Sequence, residues 1–246
     1  HQLYSAMPAV LHDHGARPLA EHLPVRHRDF ALDFKIKKFL RGALRPHLQR
    51  HVDWMSGPGL EGANAAMPDI STDAVLAPFH DEWRGDTSHS RLWMDRVRRL
   101  DLRTYLAEGV LVKLDRATMA ASLEARVPFL TAPLSQFAFS LPPAWHSGPM
   151  STKNLMRSAM RGYLPPVILK RRKKGFGVPM AAWLAGPLAT WSQERIEDGW
   201  ADDLGVERSV LRCWWHEHQA RRADRRKHLW PALVLADVWR RSAQRG

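Results

Sequence analysis

The 246-residue sequence predicts a mainly α-helical protein. Three observations carry that expectation. Apolar residues recur at three- and four-residue spacing through most of the chain. The period-2 alternation of half-buried strands is almost absent. Proline and glycine punctuate the helical segments at short intervals. With 45% hydrophobic and 25% charged residues, the composition is that of a folded chain, long enough for one large domain or two small ones.

The opening residues, HQLYSAMPAVLHDHGARPLAEHLP, read as a helix and its exit. Residues 31–43, ALDFKIKKFLRGA, set Leu32, Phe34, Ile36, Phe39 and Leu40 against cations on the other face, the pattern of an amphipathic helix. A second helix is expected from Pro46 to Met55, before the Gly57-Pro58-Gly59 break. Residues 56–90 read as turns and short helices, one from Thr72 to Phe79 with Thr72 or Asp73 near its N-cap. From Ser90 to Glu124 a long helical region is expected, interrupted near Glu108-Gly109 and ended by Arg126-Val127-Pro128-Phe129. Further helices are expected at Ala132 to Ser140, from N-cap Ser151 to about Gly162, and from Pro165-Pro166. The last three run from Pro187 to Asp198, Glu207 to Arg221 and Arg226 to Gln244.

The net charge of +12 admits a nucleic acid, an acidic membrane surface or a polyphosphate as partner. The basic residues are spread along the chain, and no zinc-finger spacing or RNA-binding aromatic motif accompanies them, which disfavours nucleic acid. No apolar run is long enough to span a bilayer, and no signal-peptide pattern opens the chain. The one cysteine, Cys213, forbids an internal disulfide and fits a reducing cytoplasm. Beside Trp214 and Trp215 it reads as packed rather than catalytic.

The densest chemistry lies in RRKKGFGVPMAAWL, residues 171–184. Cations stand directly before Gly175-Phe176-Gly177, where the backbone can turn sharply and approach a ligand. That arrangement suits phosphate or pyrophosphate, although a solvated basic loop has the same composition.

Three segments, in order, resemble the synthetase domain of glutamine-hydrolysing asparagine synthases. The first is LDLRTYLAEGVLVKLDRATMAASLEARVPFL, residues 100–130, similar to the family's Asp-Leu-Arg-Thr-Tyr-Leu, Lys-x-Asp-Arg and Leu-Glu-Ala-Arg-x-Pro-Phe-Leu. The second is Lys153 with LMRSAMRGYLPPVIL, similar to Lys-x-x-Leu-Arg-x-Ala followed by Leu-Pro-x-x-Ile-Leu. The third is the basic stretch, similar to Arg-x-Lys-x-Gly-Phe-x-x-Pro followed by Trp-Leu. LWPALVLADVWRR near the C-terminus resembles the family's Trp- and Leu-rich final helix.

The resemblance implies the C-terminal, helical part of an α/β synthetase domain of the adenine-nucleotide-α-hydrolase-like (ATP pyrophosphatase) type, spanning residues 1–246, with its parallel sheet largely missing. It implies ATP-dependent amide formation from aspartate and glutamine-derived ammonia, with ATP and Mg²⁺ required and the metal ligands mainly outside this chain. By motif, Lys173 is the first catalytic candidate, reaching the phosphates or the tetrahedral intermediate. Lys153, Arg171, Lys174, Gly175 and Gly177 are expected to bind ATP or pyrophosphate with it. Glu108 or Asp115 is expected to accept a proton or orient ammonia, with no basis for choosing between them. Arg116, Glu124 and Arg126 are expected to form buried, supporting ion pairs.

Departures accompany the resemblance. The family's Ser-Gly-Gly-x-Asp-Ser phosphate loop, its Gly-Asp-Glu motif and its glutaminase cysteine are not found in these residues. Thr131 stands where aspartate is usual and Ala107 where proline is common. These departures lead to the expectation that the chain alone is inactive. It would work with a missing N-terminal part or a split-gene partner, in a full-length protein expected to form a homodimer. The same fold could instead serve an amidotransferase acting on a cell-surface sugar or natural product. A basic helical nucleic-acid-binding or scaffold module is the alternative of another class.

Overall fold

The computed structural model describes residues 32–84, 93–148, 151–171 and 177–243, with the isolated positions 16 and 19. It is mainly helical. Contacts divide the chain into two compact units, His1–Pro78 with Phe176–Gly246, and Phe79–Gly175. The expected opening helix lies outside the described residues.

The first unit begins with α1 (Leu32–Gly42), α2 (His47–Met55), α3 (Gly59–Ala66) and α4 (Thr72–Arg84), the last crossing the unit boundary at Pro78. Phe39 of α1 stacks on Trp54 of α2 with ring centroids 5.8 Å apart. Asp53 of α2 is fully buried, and its Oδ1 accepts the N–H of Leu60 at 2.7 Å. Its Oδ2 lies 2.7 Å from Nε of Arg45. One carboxylate thus satisfies an orphan N–H in the first turn of α3 and pairs with a cation. A Cβ on Gly57 would stand 2.5 Å from the Lys227 carbonyl oxygen, so the turn before α3 needs glycine to pass that backbone.

The unit continues through α11 (Met180–Leu184), α12 (Ala189–Glu197), α13 (Trp200–Asp203), α14 (Arg208–Gln219) and α15 (Arg226–Ala243); α5 to α10 belong to the second unit. Helix α14 buries Leu211, Trp214, Trp215 and His218, and α15 buries Leu229, Leu233 and Ala236, the three- and four-residue spacing of one helical face. Trp200 is the largest fully buried side chain of this core, and its Nε1–H donates to the Arg195 carbonyl. His218, fully buried, bridges two segments: Nε2 lies 3.0 Å from the Ala181 carbonyl, and Nδ1 accepts the Arg225 N–H at 3.2 Å. Those partners require the Nε2–H tautomer. Cys213 is exposed, contrary to the sequence reading, because the neighbouring tryptophans take the buried side of α14 and turn it outward.

The second unit is built from α5 (Trp93–Asp101), a π-helix (Leu102–Leu111), α6 (Val112–Met119), a 3₁₀ turn (Pro128–Leu130), α7 (Ala132–Ser140), α8 (Pro143–His146), β1 (Ser147–Gly148), β2 (Ser151–Thr152), α9 (Asn154–Ala159) and α10 (Pro166–Lys170). The expected interruption near Gly109 is instead a change of winding, and the helical path continues through it. It ends at Met119, five residues before Glu124; Ser122 takes φ 56°, in the left-handed region. Arg126-Val127-Pro128-Phe129 therefore follows the helix end instead of causing it. β1 and β2 pair antiparallel, Ser147 with Thr152 and Gly148 with Ser151. This short hairpin is unforeseen in the sequence. Arg98 ties α5 to later elements: Nη2 donates to the Ala138 carbonyl at 3.1 Å, and the guanidinium lies 4.8 Å from the Phe139 ring centroid.

Among the described residues no helix is long and apolar enough to cross a membrane.

Candidate functional site

The candidate residues fall on four pieces of chain. Lys173, Lys174 and Gly175 lie outside the described residues. Gly177 is exposed and leads through Pro179 into α11. Arg171 is the exposed C-cap of α10, and its N–H donates to the Ile168 carbonyl at 3.3 Å. Lys153 is exposed and is the N-cap of α9, with φ 61° and ψ 35°. It does not stand in the first helical turn, as the sequence pattern predicts. Ser151 is drawn into the hairpin instead of capping, so the chain turns at Lys153. A lysine in the left-handed region costs on the order of 1 kcal/mol relative to glycine.

Lys153 and Arg171 are joined through Arg157 of α9. The Arg157 N–H donates to the Lys153 carbonyl at 2.9 Å. Its Nη2 donates to the Arg171 carbonyl at 3.0 Å. Motif reasoning passed over Arg157, yet a signal for it exists. Between Glu124 and Glu194 the sequence holds no aspartate or glutamate but nine lysines and arginines, Arg157 among them. Arg126, at the edge of that span, pairs with Glu124, and the excess positive charge of the remainder favours an incoming anion.

The acidic candidates stand apart from this cluster. Glu108 is exposed on the π-helix, and Asp115 is exposed in the first turn of α6. Among the described residues neither carboxylate has an ion-pair partner, so each is open to solvent or ligand. Glu124 and Arg126 do pair, at 2.6 Å, but with side chains 71% and 86% exposed. The expected burial is not met, because both residues follow the helix end on an extended, exposed segment. Arg116 is exposed and takes no carboxylate among the described residues. An exposed pair of this kind contributes about 0–1 kcal/mol, so it is no architectural clamp.

The described residues contain no group of three His, Cys, Asp or Glu side chains that could hold a metal ion. What the arrangement supplies is cationic: a guanidinium fixed on a backbone carbonyl, a lysine at a helix entry, and an arginine at a helix exit. Cations of this kind are suited to hydrogen-bonding and neutralising an anion.

Comparison with known proteins gives a consistent result. The family model described as asparagine synthase matches residues 12–241. The chain is 32% identical over 172 residues to "Asparagine synthetase [glutamine-hydrolyzing] 1" of Bacillus subtilis, covering 70% of this chain and 26% of that protein. It is 34% identical over 171 residues to a "Putative asparagine synthetase [glutamine-hydrolyzing]" of Mycobacterium bovis, covering 68% and 25%. A Mycobacterium tuberculosis protein of the same description matches equally well. The chain thus spans about a quarter of the length of these relatives. No solved structure matches it. With the family model covering 12–241 and the motif segments in order, the chain belongs to the asparagine synthase family.

Proposed function

We propose that this chain contributes the phosphate-facing helical part of an enzyme that makes asparagine from aspartate, ATP and glutamine-derived ammonia. The carrying observation is the family match over residues 12–241. In this reading the fold is completed by an ATP-pyrophosphatase-type α/β core. An oxygen of the aspartate side-chain carboxylate attacks the α-phosphorus of ATP, the α–β anhydride bond breaks, and pyrophosphate leaves. Ammonia then attacks the acyl carbon, a C–N bond forms, a proton is lost and AMP departs.

The residues of this chain act on charge and protons. Lys173 meets the negative charge that develops on the phosphoryl oxygens, with Lys153, Arg171 and Lys174 adding to the field. Gly175 and Gly177 allow close backbone approach. Glu108 or Asp115, both candidates for the proton from ammonia, have the exposure that such a role needs. Glu124 with Arg126 and Arg116 support this region from the surface.

The test uses the full-length protein carrying this chain, supplied with ATP, Mg²⁺, aspartate and ammonia. Asparagine, AMP and pyrophosphate should form in equal amounts, and Lys173→Ala should lower turnover by about 10²–10³-fold. The 246 residues alone should release no pyrophosphate. Pyrophosphate release without aspartate dependence, or none from the full-length protein, would overturn the reading.

A further inference from the structure

Arg157 carries more information than its motif position. It stands one turn beyond Lys153 on α9 and is half-buried, while Lys153 and Arg171 are exposed. A single bond from Nη2 to the Arg171 carbonyl, at 3.0 Å, holds its guanidinium in place. A guanidinium has five N–H donors, so most remain for another acceptor. Among the described residues, no carboxylate pairs with Lys153, Arg157 or Arg171. Residues 151–171 hold Lys153, Arg157, Arg161, Lys170 and Arg171 and no carboxylate, a surplus of positive charge that attracts an anion. A capping role alone, in which Arg157 satisfies the C-cap carbonyl of α10, uses one donor and leaves the others without a purpose.

We infer that Arg157 is a further phosphate-binding residue of this site, its guanidinium oriented by the Arg171 carbonyl so that the free N–H groups receive phosphoryl oxygens beside Lys153 and Arg171. The ligand class is a pyrophosphate or the polyphosphate of a nucleotide. A planar fork fixed at one end binds such oxygens in pairs, which a lysine cannot do. The inference rests on the proposed phosphate-facing role of the basic segment and names a group that role had not included.

Calorimetric titration of the full chain with inorganic pyrophosphate tests it. Arg157→Gln should weaken binding about tenfold or more, the loss of a charge-assisted hydrogen bond. Arg157→Lys keeps the charge and should recover only part of the affinity. Arg222→Gln, which removes an equal charge from an exposed turn of the first unit, should change it less than about twofold. Wild-type affinity in Arg157→Gln overturns the inference, as does an equal loss in Arg222→Gln. If Arg157→Gln unfolds, Arg157→Lys decides, and unchanged affinity there overturns it. Lys173→Ala separates the two readings. Loss in Arg157→Gln without loss in Lys173→Ala keeps Arg157 and removes Lys173 from the phosphate site; the converse removes Arg157.

Discussion

Residues 180–243, with Ala66 and Met67 packed against them, bury Trp200, Leu184, Leu211, Leu229 and Leu233 completely, whereas residues 102–170 leave Tyr105, Phe129, Phe137, Trp145, Tyr163 and Val167 more than half exposed. Both segments are helical and both are rich in large apolar residues. The difference is in what the helices meet. In the first unit α12, α14 and α15 close around one core, with Trp200 and Trp214 as its bulk. In the second unit the only fully buried large apolar side chain among the described residues is Leu100. These exposed side chains leave the second unit without the closed apolar core of the first. Among the described candidate residues, Gly177 lies in the first unit, and Glu108, Asp115, Arg116, Glu124, Arg126, Lys153 and Arg171 lie in the second.

Substitutions can break this contrast or sharpen it. The largest effect is expected in the closed core: Trp200→Ala should lower unfolding free energy by about 3–5 kcal/mol, measured by urea denaturation. Asp53→Ala, which leaves the N–H of Leu60 and the Arg45 guanidinium without their carboxylate, should cost about 3 kcal/mol in the same assay. Tyr163→Ser, at an 83% exposed side chain of the open unit, should stay within about 0.5 kcal/mol. A large loss at Tyr163 would mean that the second unit has a core after all.

The smallest effect is electrostatic. Glu197 accepts hydrogen bonds from Arg212, which holds its carboxyl below the ordinary glutamate value. A carboxylate with a depressed folded-state pKa stabilises above its unfolded pKa, and that contribution is lost as pH falls through the folded value. The pair is exposed, so Tm should show only a slight extra decline in acid, and Arg212→Gln should remove it. A profile identical in wild type and variant near neutral pH and throughout the acid decline would contradict this coupling.

Helices α14 and α15 were legible because Leu211, Trp214, Trp215 and His218, then Leu229, Leu233 and Ala236, repeat at the helical period. The π-helix was not, since its wider winding leaves no period in ten residues that a reader could separate from an α-helix. The N-cap at Lys153 was hidden because Ser151 has the better capping side chain, and the hairpin claims it. Burial of Glu124 and Arg126 could not be read from spacing: it depends on which elements cover them, and the helix stops short at Met119. The basic stretch RRKKGFG was legible as a candidate anion-binding segment, of which residues 172–176 lie outside the described residues, while Arg157 drew notice only through its bond to the Arg171 carbonyl.

The contrast between a closed core and the proposed anion-binding segment is tested most directly by hydrogen exchange of the chain with and without inorganic pyrophosphate. Pyrophosphate should slow exchange in residues 151–171, around Lys153, Arg157 and Arg171, and leave α12, α14 and α15 unchanged. Protection confined to α14 and α15, or none anywhere at saturating pyrophosphate, would contradict it.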